Sequence, residues 1–171
     1  KDVKAAGAAS KMVKGYEVLI ADINNLLNDE RALIAAANSV FAAQRDRIFN
    51  QGKATDGSKI GTYGTKTISI SRSRQARQTG KTYFKGGYRE YKSLTGKEAA
   101  FVNLQDTGQM MMDLGTDILG RGEVGIGFSN QFNADKSVWA KEKYNKEIFH
   151  TSESEDDLFD KVIQFELDRK L

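Results

Sequence analysis

The sequence predicts an α+β domain: N-terminal helices, a small antiparallel sheet with a central hairpin, a C-terminal helix, and a long extended basic loop. Three observations lead there. Apolar residues recur at helical spacing before Gly52 and again after Ser152. Residues 114–128 alternate with period two around a glycine turn. Between the helices and that hairpin, glycines and hydroxyl residues displace the periodic pattern. A chain of 171 residues can bury one sizeable core, so residues 1–171 read as a single domain.

Residues 1–15, rich in Lys, Ala and Gly, read as a flexible arm. In YEVLIADINNLL, Leu19, Ile20, Ile23, Leu26 and Leu27 fall at helical spacing. Asn28 suits an N-cap, with Asp29 and Glu30 in the first turn of a second helix reaching about Gln51. Along it Ile34, Ala37, Phe41, Gln44 and Ile48 recur on one face; Phe41 and Ile48 are expected to be buried, and Gly52 supplies the stop. The basic loop, about 52–87, begins with the turn chemistry of ATDGSKIGTYG. It continues in TKTISISRSR, which reads as a short strand pair or an extended arm. Overall, residues 53–97 look too basic and Gly-rich to build a core and are expected to project from the body.

GGYREYKSLTG reads as a short helix with Tyr88, Tyr91 and Leu94 on one side. A helical turn near 108–112 follows, where Met110, Met111 and Met112 read as core packing. ADKSVWAKEKYN is helical, with Val138 and Trp139 on one side, and EIFH is a short apolar link. Ser152 or Ser154 caps the last helix; Ser154 and Asp157 have a capping-box-like spacing. Leu158, Phe159, Val162, Ile163 and Phe165 supply its buried stripe.

GRGEVGIG contains a literal G-x-G-x-x-G at Gly120, Gly122 and Gly125. A dinucleotide site needs a helix after those glycines, where the N-terminus meets the pyrophosphate. Here Val124, Ile126 and Phe128 alternate with Glu and Gly, so a strand follows. Gly120-Arg121-Gly122 is therefore read as a hairpin turn. Gly125 and Gly127 become strand positions where something bulky crosses or a bulge sits.

Other chemistry is sparse. Cysteine is absent, which excludes disulfides, thiolate zinc sites and a cysteine nucleophile. His150 is the sole histidine, so no multi-histidine metal site exists. It reads either as a general base near Glu153 or Asp156 or, preferred, as a helix-entry residue bonding backbone. The acids 153–157 lack the alternate spacing of a calcium loop. No catalytic, cofactor-binding or metal-ligating residue is assigned, and no cofactor is expected. No apolar run approaches the roughly 18–20 residues of a membrane span, and no membrane partner is expected.

The net charge of +3 hides an asymmetry. Against the Lys and Arg of residues 52–98 stand only Asp56, Glu90 and Glu98; against the acids of 147–171 stand only Lys161, Arg169 and Lys170. Such regions suit a contact between subunits. Ile68 and Ile70 form one greasy edge of an arm that can add to a neighbour's sheet. Arg72, Arg74 and Arg77 would then meet Glu153, Glu155 or Asp157 of the adjoining subunit.

RIFNQGKATDGSKIGTYG resembles the signature of phage virion-morphogenesis proteins, the neck or tail-completion group. There a helix ending in R-I-F precedes a Gly/Asp turn and a Tyr-Gly element. The pattern continues through GGYREYKSLTGKEAAFVNLQDTGQMMMDL and GEVGIGF, then a Trp-bearing helix, an I-F pair and a capped last helix. The order of several short motifs carries the likeness, from about residue 34 to the C-terminus. The Lys/Ala-rich N-terminal arm and the long basic stretch depart from the pattern.

The resemblance implies a structural virion protein without enzymatic activity: a ring-forming homo-oligomer, a hexamer, at the head–tail junction. Its partners would be its own copies and neighbouring neck, connector or tail proteins, with DNA passing through the lumen without sequence-specific contact. It would be made in the host bacterial cytoplasm. The alternative is a nucleic-acid-binding accessory protein using residues 72–85, where arginines and lysines precede Tyr83 and Phe84. A third reading is a small enzyme centred on His150.

Overall fold

The computed structural model describes residues 30–70, 79–120 and 122–169. The arm 1–15, the helix expected over 16–27, its neighbour's cap at Asn28, and Arg72, Arg74, Arg77 and Arg121 lie outside those residues. The described chain is mixed α+β, as the sequence predicts: helices plus two small antiparallel sheets.

Helix α1 spans Glu30–Arg45 and continues as a π-helical turn, Asp46–Asn50. Gln51 N donates to Asp46 O at 3.0 Å, the i to i+5 bond that marks the wider turn. Gly52 then takes φ +63°, and a Cβ there would sit 2.6 Å from Val102 O. Both the turn and the close approach demand glycine. The buried ridge of α1 is Ala32, Ala36, Val40 and Gln44, running on to Ile48. Ile48 is buried as expected, but Phe41 is only half-buried at the margin of the core. The reason is α5, Glu153–Asp168, which packs along α1 and is admitted by its small side chains.

The stretch after Gly52 corrects the expectation that residues 53–97 build no core. Ala54, Ile60 and Tyr63 are buried in the main cluster with Ile48, Phe49, Val102, Leu114 and Ile148. Backbone bonds tie the loop down: Ile60 N to Gly52 O at 2.8 Å, Thr55 N to Glu147 O at 3.0 Å, and Val102 N to Gly61 O at 3.0 Å. Strand β1, Ile68–Ser69, pairs antiparallel with β2, Tyr83–Phe84. Helix α2, Gly87–Leu94, follows. Phe84 and Tyr91 form a second small core, ring against ring edge-on at 5.4 Å, with Ile68, Ile70 and Tyr88 packed on it. Local aromatic density supplies the apolar area that net composition concealed. Leu94 does not join Tyr91; it is exposed.

Helix α3, Gln109–Asp113, leads into β3, Leu114–Gly120, which pairs with β4, Glu123–Phe128. This is the expected hairpin, and Gly122 holds φ +75° in its turn. A strand, not a helix, follows the glycines, so the dinucleotide geometry is not present. The bulky group crossing Gly125 is Leu119, whose Cδ1 lies 2.9 Å from where a Cβ would stand. Nothing crosses Gly127, contrary to expectation.

Helix α4, Gln131–Tyr144, is capped by the Asn130 side chain, which accepts from Phe132 N at 2.9 Å. Its seat is Asn133 and Ala140; Val138 and Trp139 face outward. Asp113 ties this seat to the hairpin, accepting from Ser129 Oγ at 2.5 Å and Asn133 Nδ2 at 2.9 Å. Those hydrogen bonds hold its carboxyl below the usual range. In α5 the cap is Ser152, closed into a capping box by Glu155 and not by the Ser154/Asp157 pair. Leu158, Phe159, Val162 and Ile163 are half-buried, and Phe165 is exposed. Of the three methionines, Met110 is buried, Met111 packs on the core, and Met112 is exposed.

Candidate functional site

The chemistry of the described residues centres on two buried polar knots. The first knot centres on Arg47. Its Nε donates to Glu155 Oε1 at 2.7 Å and its Nη2 to Oε2 at 3.1 Å, a forked pair. Nη1 also donates to Lys53 O and Ile148 O, and Nη2 to His150 O at 2.9 Å. Glu155 Oε2 accepts from Ser152 N at 2.8 Å. Gln44 adds Nε2 to Phe149 O at 2.7 Å, while its Oε1 has no partner among the described residues. One side chain thus clamps the π turn, the loop, the apolar link and α5.

The second knot holds Lys92, which is fully buried. Its ammonium donates to Gln105 O, reaches Asn103 Oδ1 at 3.5 Å and lies 5.1 Å from the Tyr63 ring centroid. Tyr63 OH donates to Asn103 Oδ1 at 2.9 Å. Leu104, between those two acceptors, takes φ +53°. A left-handed leucine costs roughly 1–2 kcal/mol and persists because both flanking residues are fixed. Burial pushes Lys92 down to about 8 and Tyr63 up to about 12.

These shifts set a pH dependence. Between about 8 and the unfolded value of 10.5 the unfolded chain binds the extra proton at Lys92, so stability rises with pH. Above the ordinary tyrosine value of 10.0 the unfolded chain loses Tyr63's proton first, so stability falls. Urea melts of the wild type are expected to show a maximum near pH 10. Lys92→Met is expected to remove the rise between pH 8 and 10 and to leave the fall.

The residues assigned from sequence are not gathered in one place. Ile68 and Ile70 are partly covered by their own chain against Phe84 and Tyr91, so their greasy edge is not wholly available to a neighbour. Glu155 is corrected outright: it is buried in the Arg47 clamp and offers nothing to another subunit. Glu153 and Asp157 are exposed on the first turns of α5. His150 is exposed, with Nε2 3.5 Å from Glu147 Oε2, not paired with Glu153 or Asp156. Nor does its side chain bond backbone among the described residues, as the helix-entry reading expected; it is the His150 carbonyl that accepts, from Arg47 and Gln44. No cluster of metal-ligating residues occurs among the described residues.

Sequence reasoning missed Arg47 and Lys92. The R-I-F run was visible, but a buried guanidinium shows only when its carboxylate partner is known. It grouped Trp139 with Val138 and missed that Phe132 and Trp139 are exposed together, although their i, i+7 spacing was there to read. No described helix is long and apolar enough to cross a membrane. Comparison of the chain with protein-family models, curated proteins and solved structures found no significant match.

Proposed function

We propose that the chain is a structural subunit of a tailed-phage virion, assembling with its own copies into a ring, a hexamer, at the head–tail junction. The observation that carries this reading is the state of its sheets. Both are only two strands wide, so β1, β2, β3 and β4 each have one edge without a strand partner among the described residues. Two-stranded ribbons are marginal alone, and open edges are ready templates for another chain. The order of motifs along the sequence supplies the virion context. Exposed Glu153 and Asp157 remain available to the arginines of a neighbour's 72–77 stretch.

Light scattering followed by electron imaging tests the reading: rings are expected, and a strictly monomeric chain that joins no tail or head partner would sink it. Replacing Arg72, Arg74 and Arg77 by Ser spares β1 and β2, and is expected to leave a folded monomer. Rings that persist in that variant would remove the arginines from the assembly contact. Steeply salt-dependent retardation of nucleic acid, lost in the same variant, would instead favour the nucleic-acid reading of residues 72–85.

A further inference from the structure

Helix α4 carries Phe132, Lys136, Trp139 and Lys143 at i, i+4, i+7 and i+11, along one line of its surface. Phe132 and Trp139 are 53% and 55% exposed. Their rings meet edge-on at 6.2 Å, and Lys136 Nζ stands 4.2 Å from the Phe132 ring centroid. Lys143 Nζ lies 5.3 Å from the Tyr144 ring centroid. The fold uses this line only through Lys136, whose ammonium also donates to Gln109 Oε1 at 3.3 Å and Asn133 Oδ1 at 3.2 Å; α4 is seated through Asn133 and Ala140. Exposed Trp beside cations is the composition of a binding hot spot.

Helix α5 carries Glu153, Asp157, Asp160 and Gln164 at the same spacing. All four are exposed, and the three acids make no ion pair with the described residues. Asp156 adds charge beside them, Lys161 flanks them, and Phe165 stands alongside, 63% exposed. On α4, Lys141 is paired with Glu147, Asp135 holds Gln131, and Glu142 is the remaining acid. The elements pack in the order α5, α1, hairpin, α4: α1 touches α5 and both hairpin strands, and β4 touches α4. The acidic line and the aromatic–lysine line therefore lie at the two ends of that series.

We propose that a second copy of this chain seats its α5 acidic line on the α4 aromatic–lysine line, joining copies head to tail. This deepens, and rests on, the reading of the chain as a ring subunit, and it gives Glu153 and Asp157 the α4 lysines as partners in place of the arginines of the 72–77 stretch. A contact between two different surfaces repeats from copy to copy and closes into a ring when the rotation allows. The 14 residues of α4 span roughly 21 Å, so this contact is one part of the interface. Phe132 and Trp139 anchor it, and the charges set partner and register.

Two charge-reversed chains test it: Lys136→Glu with Lys143→Glu, and Asp157→Lys with Asp160→Lys. Each alone presents like charges on both lines and is expected to assemble at least about tenfold more weakly by light scattering. Mixed in equal amounts, they restore complementary lines and are expected to assemble again. Trp139→Ser is expected to weaken assembly without changing the melting temperature, which separates docking from folding. The proposal is overturned if either reversed chain assembles like wild type, or if the mixture stays monomeric while both chains melt normally. It is also overturned if only the Arg72, Arg74 and Arg77 replacement breaks the ring, in which case the ring reading stands. A wild-type chain that never self-associates takes down both.

Discussion

Arg47→Ala is expected to destabilise the protein by about 3–5 kcal/mol, the cost of stranding a buried charge by removing its partner. Glu155 is 3% exposed, so little water can replace the guanidinium. The loss exceeds one ion pair, because the carbonyls of Lys53, Ile148 and His150 lose their donor together. For a chain of 171 residues this corresponds to a fall in melting temperature on the order of 10 °C. Glu155→Gln keeps shape and the Ser152 contact, so it is expected to cost less. Equilibrium urea unfolding of the two variants checks the order; equal stabilities would mean the clamp is not the joint between α1 and α5.

Phe49→Ala is expected to cost about 3–5 kcal/mol through lost transfer energy and an unfilled cavity. Phe49 is 1% exposed, packs with Phe149 at 6.4 Å between ring centroids, and belongs to the main cluster. Phe41→Ala, on the half-buried margin beneath Arg45, is expected to cost about half as much or less. Thermal melts of the pair decide it. If Phe41→Ala proves the worse variant, α1 presents a different face to the core than the one described.

The contrast between Phe41 and Phe49 marks where sequence reading fails. Periodicity ranks positions by the size and spacing of their own side chains, so Phe41 looked central. What buried α1 was the arrival of α5, distant in sequence, on the ridge of Ala32, Ala36 and Val40. Small residues give a weak signal in a periodic pattern and a strong one in helix packing. Likewise Leu158 to Ile163 read as a buried stripe and are half-buried, because α5 covers α1 from the outside.

Local physics was legible wherever the cause was local. The hairpin over 114–128 followed from period-two alternation and a glycine turn, and that alone disposed of the nucleotide fingerprint. The stop at Gly52 followed from glycine's access to positive φ. Ser152 and Ser154 were both fair caps; Ser152 with Glu155 three residues on is the regular capping-box pattern, a local signal passed over for the Ser154 and Asp157 spacing. The basic stretch after Gly52 shows the limit. Its charge is visible in the sequence, yet Ile60, Tyr63, Phe84 and Tyr91 are buried within it.

By itself, then, the sequence determined the elements whose bonds run between near neighbours: the helix after Asp29, the β3–β4 turn, and the acidic start of α5. Tertiary structure alone decided which charges are inside and which face out. Glu155 and Lys92 are buried while Glu153, Asp157, Lys143 and Trp139 are exposed. The physical reason is that desolvating a charge is tolerable only where partners from distant segments converge, and that convergence is a property of the packed fold.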